Sequence, residues 1–192
     1  GWYGFLKSLK GRGLAGVRLF ISDACMGLVE SIEEIFPDAD WQRCVVHAYR
    51  NVFTHVPRTK MRHVSAMLKA IHAQESREAA LAKADDVVAG LRAMKLKTAA
   101  DWVAEHIDET LTYYSYPSEH WIKLKTKNPM ERLLKEPRRR TKVVGAFPDG
   151  KSALMLVAAR LRHVASTSWG TRKYMNMKLL DEMDTDNRYA VA

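Results

Sequence analysis

Val17-Arg18-Leu19-Phe20-Ile21-Ser22-Asp23 is the stretch on which the fold turns. Its β-branched and aromatic side chains favour a pleated strand, and Ser22-Asp23 stop it, which places Asp23 at the carboxyl edge of a sheet. Residues 26–36 then set Leu28, Ile32, Ile35 and Phe36 on one helical face, closed by Pro37-Asp38. A second strand is expected over residues 41–47. Strand, helix and strand in that order make a parallel βαβ unit with a right-handed crossover. In open α/β sheets the carboxyl edge is where sites collect. Upstream, residues 5–10 read as the end of a helix that Gly11 and Gly13 terminate.

From residue 50 to 114 the pattern becomes helical. Met61, Val64, Leu68 and Ile71 form one stripe, Leu81, Ala84, Val88 and Leu91 another, and Trp102, His106 and Tyr114 contribute to a third. The Ala-rich composition and the lack of Gly-Ser linkers predict an insertion that packs onto the α/β part. Asn128-Pro129-Met130-Glu131 has the grammar of a helix start, with Asn128 as cap, Pro129 first, and Glu131 in the first turn near the positive end of the dipole. Pro137 is expected to kink or end that helix. After Pro148-Asp149-Gly150, a long helix should turn Leu154, Val157, Leu161 and Val164 inward. The expected organisation is α/β but predominantly helical. A core occupies residues 1–50 and 117–180, an all-helical insertion 51–116, and a frayed tail 181–192.

At 192 residues and 47% hydrophobic content, the chain can bury one core, or one core with a helical appendage. A formal charge of +9, from 31 Lys and Arg against 22 Asp and Glu, favours a polyanionic partner. Cys25 and Cys44 are too few for a disulfide framework, and no stretch resembles a secretory signal or a membrane span. A reducing, cytoplasmic setting without a membrane is expected. The chain opens on Gly1-Trp2-Tyr3 and reaches a strand within about twenty residues, as expected of a piece of a longer protein.

Each candidate residue has a plainer reading beside the chemical one. Asp23 and Glu131, 108 positions apart, are candidate metal-binding acids; Asp23 also suits a helix cap, and Glu131 a helix dipole. Cys44 and His47 make half of a zinc site, or else a buried thiol and a hydrogen-bonded imidazole. Arg138, Arg139, Arg140 and Lys142 suit DNA phosphates or a solvated face. Tyr113, Tyr114, Tyr116 and Trp121 suit base stacking or an aromatic seam.

Four blocks in order carry a resemblance: Ile21-Ser22-Asp23-Ala24, Trp41-Gln42-Arg43-Cys44-x-x-His47-x-x-Arg50-Asn51, Asn128-Pro129-Met130-Glu131-Arg132, and Arg139-Arg140-Thr141-Lys142-Val143-Val144-Gly145-x-Phe147-Pro148. Over residues 5–180 the chain resembles the Mutator-type transposases of bacterial insertion sequences. That resemblance implies a ribonuclease-H-like fold, here partial, interrupted by a helical insertion. It also implies an Asp-Asp-Glu triad holding two Mg²⁺ or Mn²⁺ ions for DNA strand cleavage and transfer. Matched motif to motif, Asp23 is the second acid and Glu131 the third, while Cys44 and His47 correspond to a Cys-x-x-His pair that supports the site. The partners implied are double-stranded DNA, both transposon ends and target, and further copies of the intact parent in a homo-oligomer near the bacterial nucleoid.

The family's first acid lies on an earlier strand, upstream of Gly1. The stretch from Leu133 to Pro137 also departs from the family's Asn and unbroken helix. The expectation is therefore the carboxyl-terminal part of a catalytic domain, inactive alone. The alternatives are a non-catalytic basic remnant that binds duplex or joins intact transposase, and a zinc-stabilised interaction domain built on Cys44 and His47.

Overall fold

The computed structural model describes residues 1–171 and 173–190, with the side chains of residues 128, 169 and 184–190 outside that description. Two compact units result, Gly1–Thr126 and Lys127–Ala192. Helices dominate both, and the sheet has two strands.

In the first unit, helix α1 (Trp2–Gly11) leads to strand β1 (Leu19–Ser22), helix α2 (Leu28–Ile35) and strand β2 (Asp40–Arg43). The strands are parallel, in register from Leu19 opposite Asp40 to Ser22 opposite Arg43, as a βαβ unit requires. The apolar stripe of α2 meets α1 in a cluster of Leu6, Leu28, Ile32, Ile35 and Phe36, against which Phe20 and Trp41 pack. Gly27, at φ 75°, turns the chain into α2 where a side chain would be strained. The cap reading of Asp23 therefore fails. Its Oδ1 accepts instead from its neighbour Ala24 N at 3.0 Å.

The second strand is shorter than expected. It ends at Arg43, and helix α3 (Val45–Thr54) begins at once, so His47 lies on a helix and Cys44 is its N-cap residue. Val45, Ala48 and Val52 are all buried, a helical spacing that outweighs the β propensity of Val45-Val46. Cys44 N still donates to Ser22 O at 2.7 Å, the last rung of the ladder.

Helices α4 (Met61–Ile71), α5 (Arg77–Ala93) and α6 (Lys97–His106) follow. Val64, Leu68 and Ile71 on α4, with Ala84, Val88 and Leu91 on α5, are buried as the stripes predict; Met61 and Leu81 are half-buried. On α6 the buried face is Ala99, Ala100 and Val103, so Trp102 and His106 stand beside the core, with rings 4.9 Å apart. Tyr114 belongs to a 3₁₀ turn, Thr112–Ser115.

The return from these helices is bonded to the sheet. Gln42, fully buried, donates through Nε2 to Leu124 O (2.7 Å) and accepts at Oε1 from Tyr113 N (2.6 Å). Thr112 Oγ1 donates to Trp41 O, and Tyr116 Oη to Arg18 O and Asp40 Oδ2. Helix α7 (Trp121–Leu124) ends beside β2, where Val45 N donates to Lys125 O.

In the second unit, α8 (Asn128–Val144) and α9 (Gly150–Ala165) form a helical hairpin, followed by α10 (Ser168–Thr171) and α11 (Met177–Ala190). Lys127, not Asn128, is the cap position of α8, and no side chain caps it; Pro129 sits in the first turn with Glu131. The helix does not stop at Pro137 but continues to Val144, closed by Gly145 at φ 77°. Pro137 leaves the Leu133 carbonyl without its helical donor, while ion pairs from Glu136 to Arg139 and Arg140 brace the turn that follows. In α9, capped by Asp149 accepting from Ser152 N, no residue is buried. Val157, Leu161 and Val164 are half-buried, and Leu154 is 67% exposed against expectation, because a hairpin covers each helix along one side only. Residues 181–190, expected as a frayed tail, continue α11. Among the described residues no helix is long and apolar enough to cross a membrane.

Candidate active site

Asp23 follows the last residue of β1, half-buried, at the carboxyl edge of the sheet. Its Oδ2 stays outside the bond to Ala24. The edge around it is built from the neighbouring strand: Trp41 Nε1 donates to Ser22 Oγ at 2.9 Å, and the next register pair sets Arg43 opposite Ser22. Arg43 is clasped from the helical segment. Its Nε meets Glu109 Oε2 at 2.5 Å, and its guanidinium lies 5.5 Å from the Trp102 ring and 6.0 Å from the Trp41 ring. With its side chain only 10% exposed, Arg43 is a fixed part of the frame.

Glu131 is half-buried in the first turn of α8, its N–H donating to Lys127 O, and belongs to the second unit. Cys44 is buried at the start of α3, and His47 is half-buried one turn along it. Among the described residues, no three of His, Cys, Asp or Glu come together in a group able to hold a metal ion. Cys25 is exposed in the loop after Asp23. The aromatic candidates form a seam. Tyr113 is fully buried, and the Tyr114 ring lies 4.3 Å from it and 4.6 Å from that of Trp121, whose Nε1 donates to Tyr116 O.

Arg138, Arg139, Arg140 and Lys142 are exposed on the second half of α8. Residues 127–165 contain ten Lys and Arg against three Asp and Glu, a net +7 of the chain's +9. Basic character is thus a property of the hairpin. Two of its arginines are held by Glu136, whose carboxyl is lowered to about 2 by hydrogen bonds from Arg139 and Arg140. A third cation joins them from α9, Arg160 Nη2 at 2.8 Å.

The four motif blocks thus fall at the sheet edge, the start of α3, the first turn of α8 and the basic face. A family model described as Transposase, Mutator family, matches residues 1–170. The chain belongs to the Mutator family of transposases. Over 183 residues this Mutator-family chain is 40% identical to the transposase for insertion sequence element ISRM5 of Rhizobium meliloti (strain 1021), covering 94% of the chain and 45% of the relative. It is 38% identical to the transposase for IS1081 of Mycobacterium tuberculosis, covering 94% and 43%. It is 34% identical to the transposase for IS256 in transposon Tn4001 of Staphylococcus aureus, covering 91% and 45%. The chain spans a little under half the length of these relatives.

Sequence reasoning missed the contacts that Gln42, Arg43, Glu136 and Arg160 make around the candidate sites. Gln42 and Arg43 stand inside a quoted motif, yet nothing in their spacing tells a clamp from a surface polar residue. Arg160 lies 24 positions from Glu136, on a helix whose other charges are unremarkable, and only folding discloses the pair.

Proposed function

We propose that this chain is part of the catalytic domain of an insertion-sequence transposase, in which Asp23 and Glu131 are two of three acids that hold a pair of Mg²⁺ or Mn²⁺ ions. The observation that carries this reading is Mutator-family membership across residues 1–170, with the motif-matched Asp23 at the carboxyl end of β1. Such ions neutralise phosphate charge and activate an attacking water or 3′-hydroxyl. Carboxylate oxygens suit hard divalent cations, and Asp23 keeps one oxygen outside its local bond. On this reading the sheet belongs to a ribonuclease-H-like fold, and sequence outside these 192 residues supplies both the remaining acid and further strands.

The substrate is double-stranded DNA, acted on by an assembly of whole transposase chains. The test uses the whole protein with a supercoiled plasmid carrying the transposon ends. Asp23→Asn and Glu131→Gln are expected to abolish Mg²⁺-dependent nicking and strand transfer while leaving duplex affinity within about threefold, because affinity rests on backbone charge. Nicking by Asp23→Asn at the wild-type rate would sink the assignment. The 192-residue chain alone is expected not to nick.

A second reading has its own support in the +7 hairpin: the chain alone binds duplex without catalysis. Steeply salt-dependent binding by the isolated chain, indifferent to Asp23→Asn, fits both readings. An intact protein whose nicking ignores both acids fits only the second.

A further inference from the structure

Glu136 gathers more cations than its own charge balances. Its Oε1 accepts from Arg139 Nη2 (3.1 Å), Arg140 Nε (2.9 Å) and Arg160 Nη2 (2.8 Å), and its Oε2 from Arg139 Nε (3.0 Å). Arg139 and Arg140 are one turn away on α8, at the spacing that any solvated helix face uses for ion pairs. Arg160 is different. It reaches across from α9, so the cluster joins both helices of the hairpin and keeps a net charge of +2 after Glu136 is counted.

Three guanidiniums this close repel one another, and an anion at their centre is what lets them share one place. Each guanidinium offers five N–H donors, of which Arg139 directs two at Glu136 and Arg140 and Arg160 one each. Arg160 Nε is buried, but the remaining donors of Arg139 and Arg140 lie on exposed side chains. The side chains of Arg139 and Arg140 are 56% and 45% exposed, which leaves the cluster open to a large anion.

Resting on the DNA-binding reading above, we infer that Glu136 is a positioning residue that assembles Arg139, Arg140 and Arg160 into one binding site for a DNA backbone phosphate. Arg160, outside the basic run, is a phosphate ligand of that site. Guanidinium forks match phosphodiester oxygens two at a time, and cations already held in place lose less freedom on binding. The low position of the Glu136 carboxyl keeps it ionised throughout the pH range in which DNA is bound.

The sign of one substitution separates this role from its opposite. Glu136→Gln raises the net charge by one, so if Glu136 merely screened the arginines, duplex binding would tighten. The positioning role predicts weaker binding despite the added charge. Anisotropy of a short fluorescent duplex with the 192-residue chain, over a salt series, reads both affinity and salt slope. For Glu136→Gln the expected result is an affinity lower by about five- to tenfold and a log–log salt slope shallower by about 1, the loss of one phosphate contact. Arg160→Gln should do the same, and the double variant should be no weaker than either single one, because the cluster acts as a unit.

Tighter or unchanged binding by Glu136→Gln overturns the inference. Arg160→Gln leaves both α8 ion pairs in place, so it still reports if Glu136→Gln loosens the hairpin; unchanged binding there also overturns it. Competition by polyglutamate as effective as by unlabelled duplex would point to an acidic protein and remove the phosphate assignment. Failure of the underlying reading looks different, since the wild-type chain would then show no salt-dependent duplex binding at all.

Discussion

Replacing Gln42 by Leu should be among the most damaging single changes in the first unit, although the residue touches no ligand. Its side chain is fully buried and both ends are used, one on Tyr113 N and one on Leu124 O. Leu fills a similar volume but leaves a buried N–H and a buried C=O without that partner. Each such orphan costs about 1–3 kcal/mol, so Gln42→Leu should lose about 2–5 kcal/mol. That is a large fraction of the stability of about 5–15 kcal/mol expected of a domain. In a thermal melt followed by circular dichroism, it corresponds to a midpoint lower by about 5–20 °C. Gln42→Glu sharpens the test. Its carboxylate can still accept from Tyr113 N but opposes Leu124 O, whereas the protonated acid can donate to Leu124 O as the amide does. Burial raises a carboxyl pKa, so Gln42→Glu should recover stability relative to wild type as pH falls towards the unfolded glutamate value near 4.3. A Gln42→Leu midpoint within about 2 °C of wild type would refute the clamp.

Other expectations follow from particular residues. Lys95 holds φ 60° at the end of α5, where Lys95 N donates to Arg92 O and Leu96 N to Leu91 O, a Schellman arrangement that favours glycine; Lys95→Gly should stabilise the chain by about 0.5–1 kcal/mol in urea titration. His72 is buried, with Nε2 at 2.8 Å from Thr110 Oγ1 and Nδ1 at 2.9 Å from Tyr49 Oη, and burial lowers it to about 4. Its stabilising contribution is fully present above the unfolded value near 6.5 and is lost as pH falls from there towards 4. This amounts to about 3 kcal/mol, and His72→Gln should flatten that part of the stability profile. Asp149 Oδ1 accepts from Ser152 N at 2.7 Å at the start of α9, so Asp149→Ala should cost about 1 kcal/mol of hairpin stability, measurable by amide exchange along α9.

The elements most legible in the sequence are those whose periodicity is local. The β1–α2–β2 unit follows from β-branched and aromatic strand composition and a helical apolar stripe, and the end of β1 at Ser22 places Asp23 where the strand-end reading put it. The stripe Val64, Leu68 and Ile71 is legible for the same reason. Errors arise where two local signals compete. Cys44 to His47 continues a strand by propensity, but burial of Val45, Ala48 and Val52 turns the segment helical. Pro137 argues for a kink or a helix end; the helix does not end there, and the ion pairs of Glu136 with the next turn, which no propensity scale includes, accompany its continuation to Val144. Leu154 is exposed: amphipathic spacing says which face is apolar, not whether anything covers it. The side chains that organise the candidate sites, Gln42, Arg43 and Arg160, have partners 24 to 82 positions away, and such pairings are set by tertiary structure.

Burial and charge divide between the two units, and the division bears on how function can be tested. Among the described residues every buried apolar side chain except Pro137 and Leu180 precedes Lys125, while residues 127–165 hold +7 of the net charge. The helical segment between β2 and α7 is accordingly part of the platform: Glu109, Thr112, Tyr113 and Tyr116 all bond to the strands or the residue before them. Deleting it would expose Gln42 and Arg43 and unfold the sheet edge that carries Asp23. Charge substitutions on the hairpin touch none of those contacts. Phosphate affinity should therefore be separable from the stability of the first unit. Arg138→Ala or Lys142→Ala should flatten the salt dependence of duplex binding while leaving the midpoint of the main thermal transition within about 2 °C of wild type, because exposed charges contribute little to folding. A main transition that fell in step with duplex affinity would mean that the basic helix is needed to keep the first unit folded, and that its arginines cannot be read as DNA contacts from binding data alone.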